Sequence, residues 1–107
     1  MEIGNYLQIN HVRQVFAYES IIIPDSAIGL TSTIYKPAGG RRAIRAVITV
    51  ETAPIRYRID GNNPAADEGH LLNPMSVLVI EGYESLDNVR FIRTGTTSGK
   101  IRVSYER

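Results

Sequence analysis

The 107-residue chain contains no cysteine and no tryptophan. Without cysteine there is no disulfide scaffold, no thiolate metal site and no thiol nucleophile, and the redox compartment stays undecided. Without tryptophan a sugar-binding platform loses its largest aromatic face, although six tyrosines remain. Neither sign of charge dominates, since 12 basic residues stand against 11 acidic ones for a net charge of +1. That balance is unlike the single-signed surface of a dedicated nucleic-acid binder and argues against nucleic acid as a partner. Long apolar runs are missing too: Ile21-Ile22-Ile23 stops at Pro24, far short of the roughly 20 residues that span a bilayer. Residues 1–25 carry neither the basic head nor the apolar stretch of a secretory leader, so no membrane partner is expected. There is no nucleophile elbow, no HExxH and no glycine-rich phosphate loop. The expectation is a non-enzyme with no catalytic residue, no cofactor and no metal.

What is present is β-patterning. Hydrophobic residues make up 43% of a chain that is one domain long, enough for a single core. Prolines at 24, 37, 54, 64 and 74, with glycines between them, leave no room for long helices. Between these stops apolar residues alternate with period two: Ile44, Ala46, Ile48 and Val50; then Ile55, Tyr57 and Ile59; then Ile101, Val103 and Tyr105. Alternation of this kind marks antiparallel strands with one face on a core and one in water. Strands are expected near 3–9, 14–23, 27–34, 43–52, 55–60, 76–82, 89–95 and 100–106. Ser98-Gly99 is expected to close a hairpin between the last two. The fold class is all-β: a single-domain antiparallel β-sandwich, jelly-roll or Ig-like, of about eight short strands. Residues 1–13 read as an N-terminal arm or edge strand and 14–107 as the sandwich. The expected core is Ile48, Val50, Ile55, Tyr57, Ile59, Val79, Ile101 and Val103. Val77-Leu78-Val79-Ile80 is apolar at every position, the mark of a central strand or of one covered by another subunit.

The most polar stretch runs from Tyr57 to His70 and holds Asp60, Asp67, Glu68 and His70. Oxygen-rich loops can hold calcium, but the spacing does not match an EF-hand. The better account is a structural turn built on Asp60, Gly61, Pro64, Gly69 and His70, with Asp60 bonding the backbone ahead of it. His11 and His70 are the only histidines and lie far apart; His70 with Asp67 is the least favoured, acid–base reading. Ten arginines against two lysines is the one compositional oddity. Arginine suits interfaces, because its planar fork makes bidentate bonds at modest desolvation cost. Arg45, Arg56 and Arg58, with Leu78 and Ile80 from the two-sided strand, are the candidate interface residues. Arg56 and Arg58 are expected to pair with carboxylates within or across subunits.

From Ala27 to Arg107 the chain resembles a group of small structural proteins of tailed bacteriophages and prophages. The resemblance is carried by Val47-Ile48-Thr49-Val50-Glu51-Thr52, by Ile55-Arg56-Tyr57-Arg58-Ile59-Asp60-Gly61, by Pro64 and Gly69-His70-Leu71-Leu72, and by Phe91-Ile92-Arg93 before Ile101-Arg102-Val103-Ser104-Tyr105. Ala65-Ala66 departs from the Thr or Ser that such proteins carry after the loop proline. The resemblance implies a non-enzymatic virion component, such as a head decoration, connector or tail accessory protein. It would be located in the virion, or in the host cytoplasm during assembly, with homo-oligomeric contacts and other virion proteins as partners. The alternative is a small β-sandwich ligand-binding module for a glycan or a divalent cation.

Overall fold

The computed structural model describes residues 13–107, so the arm expected at 1–13, Arg13 aside, and His11 lie outside the described residues. Among the described residues seven strands form: β1 (Val15–Ile23), β2 (Arg45–Glu51), β3 (Ile55–Arg58), β4 (His70–Leu72), β5 (Val77–Glu81), β6 (Arg90–Arg93) and β7 (Gly99–Glu106). Short helical segments α1 (Ser32–Tyr35) and α2 (Tyr83–Asn88) interrupt them. All pairings are antiparallel. One sheet has the order β1-β7-β2-β5 and the other β4-β3-β6. An antiparallel bridge from Ile28 to Phe91 extends the second sheet beyond β6.

Counting the segment around Ile28 as the second of eight strands, the first pairs with the eighth, the second with the seventh, the third with the sixth and the fourth with the fifth. This is an antiparallel hairpin folded over on itself, which is the jelly roll. An Ig-like sandwich requires sequence neighbours side by side in its larger sheet, and here the four-stranded sheet has none.

The alternation read from the sequence holds through β2 and β7. Ala46, Ile48 and Val50 are buried from one, and Ile101, Val103 and Tyr105 from the other. They meet Ile55, Phe91 and the partly buried Tyr57 and Leu72 of the opposite sheet in one core. Three expected core positions differ. Tyr57 is only half-buried against that core. Ile59 falls past the end of β3, where the chain is already turning into Asp60-Gly61, and is exposed. Val79 faces outward, because the pleat of β5 gives its core side to Leu78 and Ile80, and β5 is an edge strand bonded to β2 alone rather than a central one.

The strand expected at 27–34 shrinks to the single bridge at Ile28. The Thr31 amide is given to the Glu19 carboxyl at 3.2 Å instead of a ladder, and the Thr31 carbonyl accepts from Ile34 and Tyr35 as α1 begins. The gap between β5 and β6 is filled by α2, which starts after Gly82 at φ +103°. Ser98-Gly99 closes no hairpin, since β6 and β7 belong to different sheets. Gly99 is required for another reason. A Cβ there would lie 2.4 Å from Ile55 Cγ2 and 2.8 Å from the Ala53 carbonyl oxygen.

Candidate functional site

A cleft lies open beside the 59–70 loop, and the outer face of the four-stranded sheet, with its β5 edge, is exposed.

The loop is held by its own strand. Arg56, on β3, reaches across it and donates from Nε to the Ala66 carbonyl at 3.0 Å and from Nη1 to the Gly69 carbonyl at 2.9 Å. Arg58 donates from Nε to Asp60 Oδ1 at 3.1 Å and pairs through Nη2 with Asp60 Oδ2. Asp60 also accepts from the Asn62 amide at 3.2 Å, so it closes the turn at Gly61, whose φ is +89°. The Arg58 guanidinium, with the Asn62 amide, holds the Asp60 carboxyl well below the usual carboxylate range. Pro64 is buried, Ala65 and Glu68 exchange backbone bonds, and Gly69 sits at φ +131°. A Cβ on Gly69 would come within 3.1 Å of the Tyr57 carbonyl oxygen. His70 opens β4, exposed, with its ring 5.1 Å from that of Tyr57.

The cleft, of about 350 Å³, is lined by Arg58, Ile59, Asp60, Glu68, Gly69 and His70. Asp67 is not among those residues, so the cleft does not bring Asp67 to His70. Among the described residues no three His, Asp or Glu side chains converge as metal ligands.

The candidate interface arginines are engaged within the chain. Arg45 lies between Glu81 and Glu106, 3.2 Å from each. Arg58 is held by Asp60, and Arg56 serves carbonyls rather than the expected carboxylates, because the loop folds over it. Of the apolar candidates, Ile80 is buried in the core and Leu78 packs against it. In a strand the alternate residues face the other way, and it is Val77 (61% exposed) and Val79 (43% exposed) that look outward.

Cross-strand neighbours organise that outer face. One row runs Tyr18, Ser104, Val47, Val79, and the next runs Ser20, Arg102, Thr49, Val77. Arg102 anchors the centre, donating to Glu51 Oε2 at 2.7 Å and to the Tyr18 hydroxyl at 2.8 Å. Ser104, Arg102 and Thr49 lie beside Val47 in the middle of the sheet, while exposed Tyr18 and Ile22 flank Ser20 on β1 and Val77 and Val79 are exposed on β5.

Two polar clusters were not read from the sequence. Asp87 accepts from Arg42 and from the Tyr35 hydroxyl and pairs with Lys36 at 3.1 Å, tying α1 to α2. The bond from Arg42 lowers the Asp87 carboxyl to about 2, while burial raises the Tyr35 hydroxyl to about 12, helped by Asp87. Inside the sandwich, Glu19 is buried and accepts from Thr31 and Tyr105. The signal for Glu19 was available: it alternates with Ala17, Ile21 and Ile23 on the core face of β1.

No protein-family model, curated protein or solved structure matches this chain.

Proposed function

We propose that this protein is a non-enzymatic structural component that works by assembly, with copies of itself and with other virion proteins of a tailed phage or prophage. Its place would be the virion, or the host cytoplasm during assembly. The observation that carries the reading is the outer face of the β1-β7-β2-β5 sheet, whose margins at Tyr18 and Ile22 and at Val77 and Val79 are apolar and exposed. Exposed apolar patches on a small domain mark contact surfaces. Jelly-roll sandwiches recur among capsid proteins, which supports the reading by analogy of fold alone.

A second reading, a glycan-binding module, draws on the open cleft where Asp60, Glu68 and His70 present polar groups beside the Tyr57–His70 ring pair. Mass measurement in solution over a wide range of concentrations separates the two. Assembly predicts a discrete homo-oligomer. A monomer at every concentration removes self-assembly and shifts the weight to the second reading, which saturable retention of that monomer on a glycan array supports.

A further inference from the structure

The four-stranded sheet ends on β5, and the hydrogen-bond pattern states which of its backbone groups are free. Gly82 donates to the Ile44 carbonyl at 2.7 Å, and Val50 donates to the Ser76 carbonyl at 3.1 Å. Antiparallel pairing alternates, so residues 76, 78, 80 and 82 spend their backbone groups on β2. The amides and carbonyls of Val77, Val79 and Glu81 point to the open side, where no backbone partner exists among the described residues.

The sheet edges are not equally guarded. β1 is irregular between Val15 and Ala17, although regular from Ala17 to Ile23, β4 has three residues, and the edge beyond β6 is covered by the bridge at Ile28. Irregularity and shortness are the usual protections of an edge strand. β5 has neither: five residues pair with β2 in unbroken register, without proline or glycine, and its only charge, Glu81, is held by Arg45.

Resting on the assembly reading, we infer that β5 pairs antiparallel with β5 of a second copy about a two-fold axis through Val79. This register is the one the free groups select. Val79 meets Val79 of the other copy in a mutually hydrogen-bonded pair, and Val77 meets Glu81 on either side. Every free amide then finds a free carbonyl, and the two four-stranded sheets join as one of eight strands. The outer row becomes Val47, Val79, Val79, Val47 across the axis, and on the inner side the half-buried Leu78 gains the other copy's Ile80. The two Glu81 side chains stand four residues apart along the joined strands, roughly 13 Å, so like charges do not face each other. The partner is a second copy because the free donors and acceptors of this edge match one another and no like charges meet across the axis.

The test uses the full chain, which has no native thiol. A hydrogen-bonded antiparallel pair sets its Cα atoms about 5.5 Å apart, within reach of a disulfide. Val79→Cys should therefore give a reducible covalent dimer under mild oxidation. Val77→Cys, on the same edge with similar exposure, should not, because its own symmetry mate is roughly 13 Å away. Val79→Lys places two ammonium groups at the axis and should move dimer formation to about tenfold higher concentration or beyond, with the β-sheet circular-dichroism signal retained. Equal cross-linking at 77 and 79, or an oligomer untouched by Val79→Lys, overturns this register while the assembly reading stands. An oligomer lost only on deletion of residues 1–12 also overturns it, and assigns the contact to that segment. A wild-type chain that is monomeric throughout overturns both this pairing and self-assembly.

Discussion

Tyr105 on β7 donates its hydroxyl proton to the carboxyl group of Glu19 on β1, inside the sandwich and away from water. The same carboxyl takes the Thr31 amide and the Thr31 hydroxyl, so one buried side chain fastens the first strand, the last strand and the start of α1. Glu19→Ala leaves the buried Tyr105 phenol without its partner and frees the exposed Thr31, and should cost about 2–3 kcal/mol in urea unfolding. Glu19→Gln retains an acceptor for both and can offer its amide to the Thr31 hydroxyl, so it should cost about 1 kcal/mol or less. Equal losses for the two variants would mean that the site is held by packing rather than by these bonds.

The same tyrosine should contribute to a loss of stability at alkaline pH. Burial, reinforced by the bond to Glu19, raises the Tyr105 hydroxyl far above its ordinary value, and Tyr35 is raised to about 12. Above about pH 10 the unfolded tyrosines release protons that the folded ones keep. The folded state then binds more protons than the unfolded one, so stability falls as pH rises, by up to about 1.4 kcal/mol per pH unit for each tyrosine. The contribution is whole below pH 10 and is lost on the way up through the folded values. Unfolding measured from pH 9 to 12 should show that slope, and Tyr105→Phe should shallow it.

The run Ile21-Ile22-Ile23 gives an internal test of register. Ile23 is fully buried and its neighbour Ile22 is 59% exposed. Ile23→Ser should cost about 3–5 kcal/mol, by emptying core volume and burying a hydroxyl. Ile22→Ser should stay within about 0.5 kcal/mol of the parent, read as the shift in denaturation midpoint. A one-residue slip of β1 would reverse the order.

Period-two patterning made β2, β7 and most of the core legible, because each pairs along its full length and shows one face to water. The same pattern failed at β5. Four consecutive apolar residues do not say whether the second face is covered by the same chain, so Val77–Ile80 read as central or as covered by another subunit, and its place at the edge overturns the first of these. Three-residue β4 was too short to show any period, and α2 was hidden in a gap that a loop fits equally well. At the candidate sites, residue types were readable but partners were not. Arg45 and Arg58 read as interface cations, yet Glu106 and Asp60 reach them within the chain. Which strand adjoins which is a property of topology, and the jelly-roll order brings together residues as distant as Glu19 and Tyr105.

Gly99 and Gly95 should separate close packing from turn flexibility. The Gly99 Cβ position is blocked by Ile55 and by the Ala53 carbonyl, whereas nothing lies within 4 Å of the one at Gly95. Backbone cannot yield as a side chain can, so Gly99→Ala should lower stability by about 3 kcal/mol. Gly95→Ala should leave the melting temperature essentially unchanged. Similar behaviour of the two variants would mean that β7 does not approach the 53–55 corner as described.

The 59–70 loop should behave as a structural turn. Asp60 is held ionised by Arg58 and by the Asn62 amide, below the ordinary carboxylate range. A carboxyl lowered in this way contributes above its unfolded value of about 4 and loses that contribution only as pH falls through the folded one. Between pH 5 and 7 the side-chain carboxyl resonance of Asp60 should therefore stay unchanged. Asp60→Ala should speed amide exchange at Asn62 and leave the β-sheet signal intact, since the residue is exposed and braces only the turn. Calcium should not change the melting temperature of the parent, because a bound ligand raises it by mass action and the carboxylates here are not gathered into a ligand set among the described residues. A saturable rise with calcium, abolished by Asp60→Ala or Glu68→Gln, would move the weight from assembly to ligand binding at this cleft, since those two carboxylates are the ones its walls present.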